Sequence, residues 1–279
     1  MSEPSSNAEP PTGRLLLWNL SILVALGLIT FNVHQLNQNL AKAGEADIRQ
    51  QFWIISQPGH TAEQRTRAMQ ELIRWGNLEW ASAKLGDLNL DGIELPGAVL
   101  AGADLQGTRF VKANLRGINF DNCALQLTDF SDCELSESSG ASADLYRSQL
   151  PRAKMHRAQY ESARFQEAKL PGAELLLANL VEADFLMADL AGADLAGANL
   201  TEARLEATVL RDANLSLCRL TGAIVKDTDF TNSNWWRARG LNSAVLADLI
   251  ARFAPNTNAS LELKVDYEAW LQKRTAPEK

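Results

Sequence analysis

The chain has 279 residues and carries 27 Lys and Arg against 34 Asp and Glu, a net charge of −7 at pH 7 with histidine neutral. This acidic balance gives no reason to expect nucleic acid as a partner. Three cysteines without a metal-binding spacing favour a reducing compartment. Composition alone therefore indicates no function, and the sequence pattern has to provide the evidence.

The N-terminal part of the sequence predicts a membrane anchor. Residues 1–14 are polar and rich in proline, which is typical of a disordered tail. Residues 15–33 carry no charge, and as a helix they would span about 28 Å, close to the thickness of a hydrocarbon core. A cleaved signal peptide and a buried soluble helix are the alternatives. We expect a single-pass membrane protein, with a slight preference for a cytoplasmic C-terminal part.

A juxtamembrane helix and turn are expected over 34–60, followed by a second helix within 61–82. Thr61 and Gln64 have the spacing of a capping box. Apolar residues then recur on one helical face, namely Ala68, Met69, Leu72 and Ile73. We expect this helix to cover the N-terminal end of the structure that follows.

A five-residue repeat dominates the middle of the chain. A large apolar residue stands at the centre of each unit, called position i below, at every fifth residue from Leu85 to Trp235, with Gly140 as the one exception. Position i−2 is small, most often Ala, and the other positions are mostly polar or Gly. Because neither a helix nor a strand has a period of five, the backbone must bend once per unit. Glycine at i+2 and the LPGA stretches at 95–98 and 170–173 predict a type II turn at each bend.

The repeated units, such as ADLAG, ANLTE and ADFLM, resemble the pentapeptide-repeat family. The resemblance implies an all-β solenoid over 83–237, a right-handed quadrilateral β-helix with four units per coil and about eight coils. We call this part the rod. When the sequence is written in rows of four units, Phe165 and Phe185 occupy equivalent positions in adjacent coils, so we expect their rings to stack. Gly140 leaves a space in the core, and we expect the side chains of Phe120 and Tyr160 to fill it. A local bulge around Gly140 is the alternative.

The C-terminal segment 238–279 predicts a second helical cap. An apolar helical face recurs over its first part, at Val245, Leu246, Leu249, Ile250 and Phe253. Residues 261–265 have the pattern of a strand, and Asp266 could cap a last short helix. The C-terminal helix is also a candidate contact for homo-oligomerisation.

Catalytic, cofactor and metal sites are not expected anywhere in the chain. The phosphate-binding, zinc-protease and nucleophile-elbow motifs are absent from the sequence. Cys123, Cys133 and Cys218 all stand at position i−2, where a small buried residue is required. The repeat also places carboxylates at i−1 on different sides of the rod, where we expect solvated surfaces. The sequence therefore predicts a protein that is not an enzyme.

A local segregation of charge is the main functional signal of the rod. An acidic stretch over 129–144 precedes a basic coil, which we call the basic belt and which comprises Arg147, Arg152, Lys154, Arg157, Arg164 and Lys169. Opposite bands of charge suit electrostatic docking, although an ordinary mixed surface is the alternative. The belt is the candidate interaction surface of a membrane-tethered scaffold for an unidentified protein partner.

A second hypothesis follows from the resemblance alone. Some pentapeptide-repeat proteins resemble B-form DNA in width and charge and bind DNA gyrase or topoisomerase. The rod of this chain is only mildly acidic, and the basic belt interrupts any continuous track of negative charge. A DNA mimic is therefore the alternative to the scaffold.

Overall fold

The computed structural model describes residues 49–51, 53–54, 59–74 and 80–275. The chain divides into two compact units, Met1–Phe52 and Trp53–Lys279. In the first unit, residues 49–51 are helical. The second unit contains all the elements named below.

The membrane prediction requires a correction. The transmembrane helix expected at 15–33 lies outside the described residues. Within the described part of the chain, no helix is long and apolar enough to cross a membrane. The named helices have 13, 11 and 15 residues, whereas a membrane span needs about 20 apolar residues. The expected localisation as a single-pass membrane protein is therefore wrong on this structure.

The five-residue units form a right-handed quadrilateral β-helix. Single-residue parallel bridges join each outward position to its equivalent four units later, from Lys84 with Asp104 to Arg219 with Arg239. In each bridge the N–H of position i donates to the following coil, as Leu85 does to the Asp104 carbonyl at 2.6 Å. The strands are thus reduced to isolated bridges between turns, and four units complete each coil, as the sequence predicts.

Inward positions i and i−2 fill the core of the rod. Nearly all of these side chains are buried, and the phenylalanine rows stack along the rod axis. The ring centroids of Phe165 and Phe185 lie 4.8 Å apart with an interplanar angle of 6°, and those of Phe110 and Phe130 lie 5.3 Å apart. The rows of four units predict the stack of Phe165 on Phe185, and this prediction is confirmed.

The gap at Gly140 is filled by Tyr160 from the next coil. A Cβ atom at Gly140 would overlap Cε1 of the Tyr160 ring. Tyr160 is only 1% exposed, and its hydroxyl lies 3.2 Å from Ser138 Oγ. Phe120 is also buried, but its ring packs edge-on against Phe110 and Phe130. The regular register continues through Gly140, so this position is not a bulge.

Helix α1, Ala62–Arg74, covers the N-terminal end of the rod. The capping box is formed, with Thr61 N–H donating to Gln64 Oε1 at 2.9 Å and Gln64 N–H to Thr61 Oγ1 at 3.3 Å. Ala68, Met69 and Leu72 are buried. On the same helix, Arg65 donates to the carbonyls of Lys84 and Gly86. The first coil thereby gains hydrogen bonds that a preceding coil would otherwise supply.

Two helices and a 3₁₀ turn form the C-terminal end. The 3₁₀ turn comprises Trp235–Arg237, α2 comprises Ser243–Phe253, and α3 comprises Leu261–Thr275. Asn242 caps α2 by accepting from Val245 N–H at 2.9 Å, and Leu246 and Leu249 of α2 are buried.

The strand expected over 261–265 is wrong, because these residues begin α3. On this helix, Asp266 accepts from the Trp236 indole and from Arg237, and Tyr267 packs edge-on against Trp235. These contacts hold the helix against the last turn of the rod. Homo-oligomerisation through it stays a prediction.

We expect Gly140→Ala to lower the free energy of unfolding by about 1–3 kcal/mol, because the methyl group overlaps the buried Tyr160 ring. In the double variant with Tyr160→Leu, the smaller side chain makes room for the methyl group. The combined loss should therefore be smaller than the sum of the two single losses. Urea unfolding followed by circular dichroism measures all three. Additive losses would show that the ring does not occupy this space.

Candidate interaction surface

The inside of the rod offers little reactive chemistry. The three cysteines are buried free thiols, and burial raises the pKa of Cys123 to about 11 and that of Cys133 to about 12. A thiol with so high a pKa is not a nucleophile at neutral pH. Within the described residues, no group of His, Cys, Asp or Glu side chains could hold a metal ion. The charged side chains of the rod stand at the outward positions i−1, i+1 and i+2.

The outward residues at position i−1 form four faces, because each bridges to its equivalent in the next coil. The first face comprises Lys84, Asp104, Ala124, Asp144, Arg164, Asp184, Arg204 and Ile224. The second comprises Asn89, Arg109, Asp129, Gln149, Lys169, Asp189, Val209 and Asp229. The third comprises Glu94, Asn114, Glu134, Lys154, Glu174, Asp194 and Asn214. The fourth comprises Val99, Asn119, Ser139, Gln159, Asn179, Asn199, Arg219 and Arg239.

Each face ends at a corner formed by positions i+1 and i+2. We call the corner after the third face the third corner; it comprises 96–97, 116–117, 136–137, 156–157, 176–177, 196–197 and 216–217. The second corner position, i+2, has left-handed φ values, for example 57° at Leu177 and 66° at Gly117. The glycines had indicated this bend, but most corners hold it with a residue other than glycine. Such residues carry backbone strain, because Cβ crowds the carbonyl in this region.

The basic belt surrounds the rod and does not form one patch. Arg164 lies on the first face, Lys169 on the second and Lys154 on the third. Arg147, Arg152 and Arg157 occupy left-handed positions at three successive corners. Of the six, only Lys154 and Arg157 belong to the same repeat unit, in which Lys154 stands on the third face and Arg157 at the third corner.

Three belt arginines are engaged by carboxylates of neighbouring coils. Arg152 Nε lies 2.7 Å from Asp132 Oδ1, and Arg147 Nε lies 2.7 Å from Glu167 Oε2. Arg164 Nη1 pairs in the same way with Asp144 at 2.9 Å. The hydrogen bond from Arg152 lowers the pKa of Asp132, and that from Arg147 lowers the pKa of Glu167. Each pair joins residues that are four units apart in sequence. Aligning the sequence in rows of four units shows these pairs, whereas counting charges along the chain does not.

The other three belt residues, Lys154, Arg157 and Lys169, have no ion pair within residues 80–275. Arg157 lines a surface groove at the third corner together with Arg116, Glu137, His156 and Leu177. There His156 Nε2 lies 2.7 Å from Glu174 Oε2, and Arg116 pairs with Glu137. Arg157 is therefore the unpaired cation of this groove.

Comparison with protein families identifies the repeat. The family model described as "Pentapeptide repeats" matches residues 81–117, 118–157, 161–197 and 198–237, which is more than half of the chain. No curated protein matches the chain at a significant level.

Solved structures similar to this chain include proteins described as pentapeptide-repeat proteins. A trypsin-treated variant of QnrB1, a plasmid-mediated fluoroquinolone resistance protein, is 23% identical, with 50% of this chain and 75% of that chain covered and a TM-score of 0.46. HetL from the cyanobacterium Nostoc sp. strain PCC 7120, involved in heterocyst differentiation regulation, is 26% identical, with coverages of 60% and 95% and a TM-score of 0.23. A protein of the Arabidopsis thaliana thylakoid lumen is 22% identical, with coverages of 51% and 88% and a TM-score of 0.32.

Two opposite substitutions test the strain at the corners. A Cβ at Gly117 would meet nothing within 4 Å, so Gly117→Ala should lower the free energy of unfolding by about 1 kcal/mol through the left-handed backbone alone. Ala207→Gly, at a corner with a φ of 53°, should raise it by a similar amount, about 1 kcal/mol. Urea unfolding measures both changes. If both variants are destabilised, strain at the corners does not determine these changes in the free energy of unfolding.

Proposed function

The chain belongs to the pentapeptide-repeat family, and from this premise we propose that it is a non-enzymatic scaffold that binds a partner protein. In this proposal the helical caps within 61–82 and 238–279 close the ends of the rod at 83–237. The main observation in support is that each repeat unit separates two kinds of side chain. Apolar side chains occupy the inward positions and are buried, and charged side chains occupy the outward positions, where they form rows along the rod. Such rows suit recognition of an extended surface.

The part of the basic belt available to a partner is the pair Lys154 and Arg157. Both are exposed; Arg157 lines the groove at the third corner, and Lys154 stands three residues before it on the third face. Arg147, Arg152 and Arg164 are already engaged by carboxylates, and Lys169 stands alone on the second face. A partner that binds here would exchange water for contacts with two free cations, which favours an acidic or polar surface.

The alternative, a DNA mimic that binds gyrase, requires a continuous track of free carboxylates. Many carboxylates of this rod are instead neutralised by arginine. On the first face, Asp144 pairs with Arg164 and Asp184 lies 3.5 Å from Arg204. The alternation of sign along this face is unlike the uniform charge of a phosphate backbone.

Proximity labelling from the C-terminus of the full-length protein, in cells of its source, tests the scaffold. We expect a reproducible neighbouring protein whose labelling falls about tenfold in the variant K154E/R157E, because reversed charges repel an acidic partner surface. The matched control K112E/K226E changes the net charge equally, outside the belt and at the corners after the second and first faces, and should leave labelling unchanged. Equal labelling of the wild type and both variants would contradict a role of the belt. The absence of any reproducible neighbour would contradict the scaffold itself.

A gyrase supercoiling assay separates the two hypotheses. We expect the full-length protein at micromolar concentration to leave supercoiling unchanged, because ion pairs interrupt the negative surface. A DNA mimic would inhibit in this range. Inhibition that is strengthened in R152A and R164A, which free Asp132 and Asp144, would establish the alternative.

A further inference from the structure

Within residues 80–239, three arginines form no ion pair with a carboxylate, and all three lie on one side of the β-helix. Most arginines of the rod and its C-terminal turn form ion pairs with Asp or Glu, namely Arg109, Arg116, Arg147, Arg152, Arg164, Arg204, Arg211 and Arg237. In the same described stretch, those without an ion pair are Arg157, Arg219 and Arg239. Arg219 and Arg239 lie on the fourth face, and Arg157 lies at the corner beside it.

The fourth face differs from the others in charge. The first, second and third faces each carry several carboxylates, whereas no outward residue at position i−1 of the fourth face is acidic. Between Asn119 and Asn199 its row consists of amide and hydroxyl side chains only. In a chain with a net charge of −7, this face is therefore a neutral polar strip that ends in two arginines.

The two terminal arginines are placed unfavourably for the fold alone. Arg219 and Arg239 are direct neighbours in the parallel ladder, joined by the hydrogen bond from Leu220 N–H to the Arg239 carbonyl at 2.8 Å. Like charges at such positions repel each other. Both side chains are exposed, and within the described residues neither is compensated by an acidic group. An acidic ligand from outside the chain would relieve this repulsion.

Exposed leucines line the third corner beside this face. Leu176, Leu177 and Leu217 are 37%, 49% and 58% exposed. Leu177 and Leu217 also adopt left-handed φ values of 57° and 60°. Leu177 Cδ2 would lie 2.7 Å from a Cβ at Gly197, so this side chain reaches over the next coil toward Leu217. The result is an apolar strip that spans several coils.

A comparable strip is not found at the first corner. Leu127 and Met187 are 54% and 60% exposed there, but they stand three coils apart. The ion pair of Arg147 with Glu167 lies between them. The combination of neighbouring leucines and unpaired arginines therefore distinguishes the side formed by the third corner and the fourth face.

We propose that the third corner and the fourth face together bind an extended, acidic segment of a partner protein that also carries leucine-like side chains. This inference rests on the proposed scaffold function and names the partner chemistry. The acidic groups meet Arg157 at one end and Arg219 and Arg239 at the other. The apolar groups pack on Leu177 and Leu217. The neutral amide row between them accepts backbone and polar contacts without repelling the segment.

The spacing of the rod sets the spacing of the segment. Arg157 precedes Arg219 by three coils and Arg239 by four, which is about 14 and 19 Å at 4.8 Å per coil. An extended chain rises about 3.3 Å per residue, so acidic residues about four and six positions after a first one match the arginines. The corresponding probe is the peptide Gly-Ser-Glu-Ser-Leu-Ser-Asp-Ser-Glu-Gly-Ser with a fluorophore at its N-terminus, in which the acidic residues and the leucine occupy alternate positions and so lie on one side of an extended chain.

Fluorescence anisotropy with the full-length protein tests the proposal. We expect wild-type protein to bind this probe with a Kd of about 10–100 µM. The variant R239E should weaken binding about tenfold, because the new carboxylate also engages Arg219 and removes both free cations. The matched control K112E makes the same change of net charge at the corner after the second face, outside the belt, and should bind like the wild type. L177S/L217S should weaken binding about fivefold through loss of apolar contact.

Stability and competing ligands complete the test. R239E replaces a repulsive pair by an attractive one, so its melting temperature should not fall, and lost binding then cannot reflect unfolding. A probe with Lys in place of its acidic residues, and a 12-base-pair DNA duplex, should bind at least tenfold more weakly than the acidic probe. Equal binding by R239E and wild type, or tighter binding of the duplex, would overturn the proposal. A neighbour in cells that depends on Lys154 and Arg157, with a probe insensitive to R239E, would retain the scaffold and reject this face.

Discussion

A parallel hydrogen-bond ladder with a register of four repeat units is the constraint on which the rest of this structure depends. Each coil must close after four units so that the N–H groups of one coil meet the carbonyl groups of the next. Closure requires a bend in every unit, and it requires one small and one large inward side chain between bends. It also places each outward residue about 4.8 Å from its equivalents in adjacent coils. Core, corners and surface rows all follow from this one register.

The core of the rod could be predicted from the sequence because the five-residue period assigns inward residues by position alone. The stacking of Phe165 on Phe185 and the filling of the space at Gly140 by Tyr160 both follow from rows of four units. The C-terminal end could not be predicted in this way, because the repeat stops there. Residues 261–265 favour a strand locally, but contacts of α3 with the last turn of the rod decide for a helix.

The candidate surface could be predicted only in part, for a physical reason. Charges adjacent in sequence lie on different faces, whereas charges four units apart are neighbours in space. Arg152 thus meets Asp132, and the acidic stretch and the basic belt largely neutralise each other. Exposed ion pairs of this kind contribute little to stability, because water screens both charges. They nevertheless remove both partners from the set of groups that another molecule could engage, so the unpaired residues carry more information than the density of charge.

In a solenoid whose core is specified by the repeat, many residue types are compatible with the outward positions. An outward residue that is unfavourable for folding therefore indicates a function other than folding. Asp, Asn and Gly at i−1 and i+2, as in the ADLAGADLAGANL stretch at 188–200, satisfy the turn and the solvent at once. A leucine at an exposed corner with a left-handed φ is unfavourable both for the backbone and for contact with water. Two adjacent arginines without a carboxylate repel each other. Within residues 80–275, Arg219 and Arg239 form no ion pair, and Leu177 and Leu217 leave about half of their surface exposed. The loss of folding free energy at these four positions is small compared with the stabilisation that a rod of this length gains from its core. All four residues lie on the side formed by the third corner and the fourth face, whose i−1 positions carry no carboxylate. A binding function of that side would offset the loss.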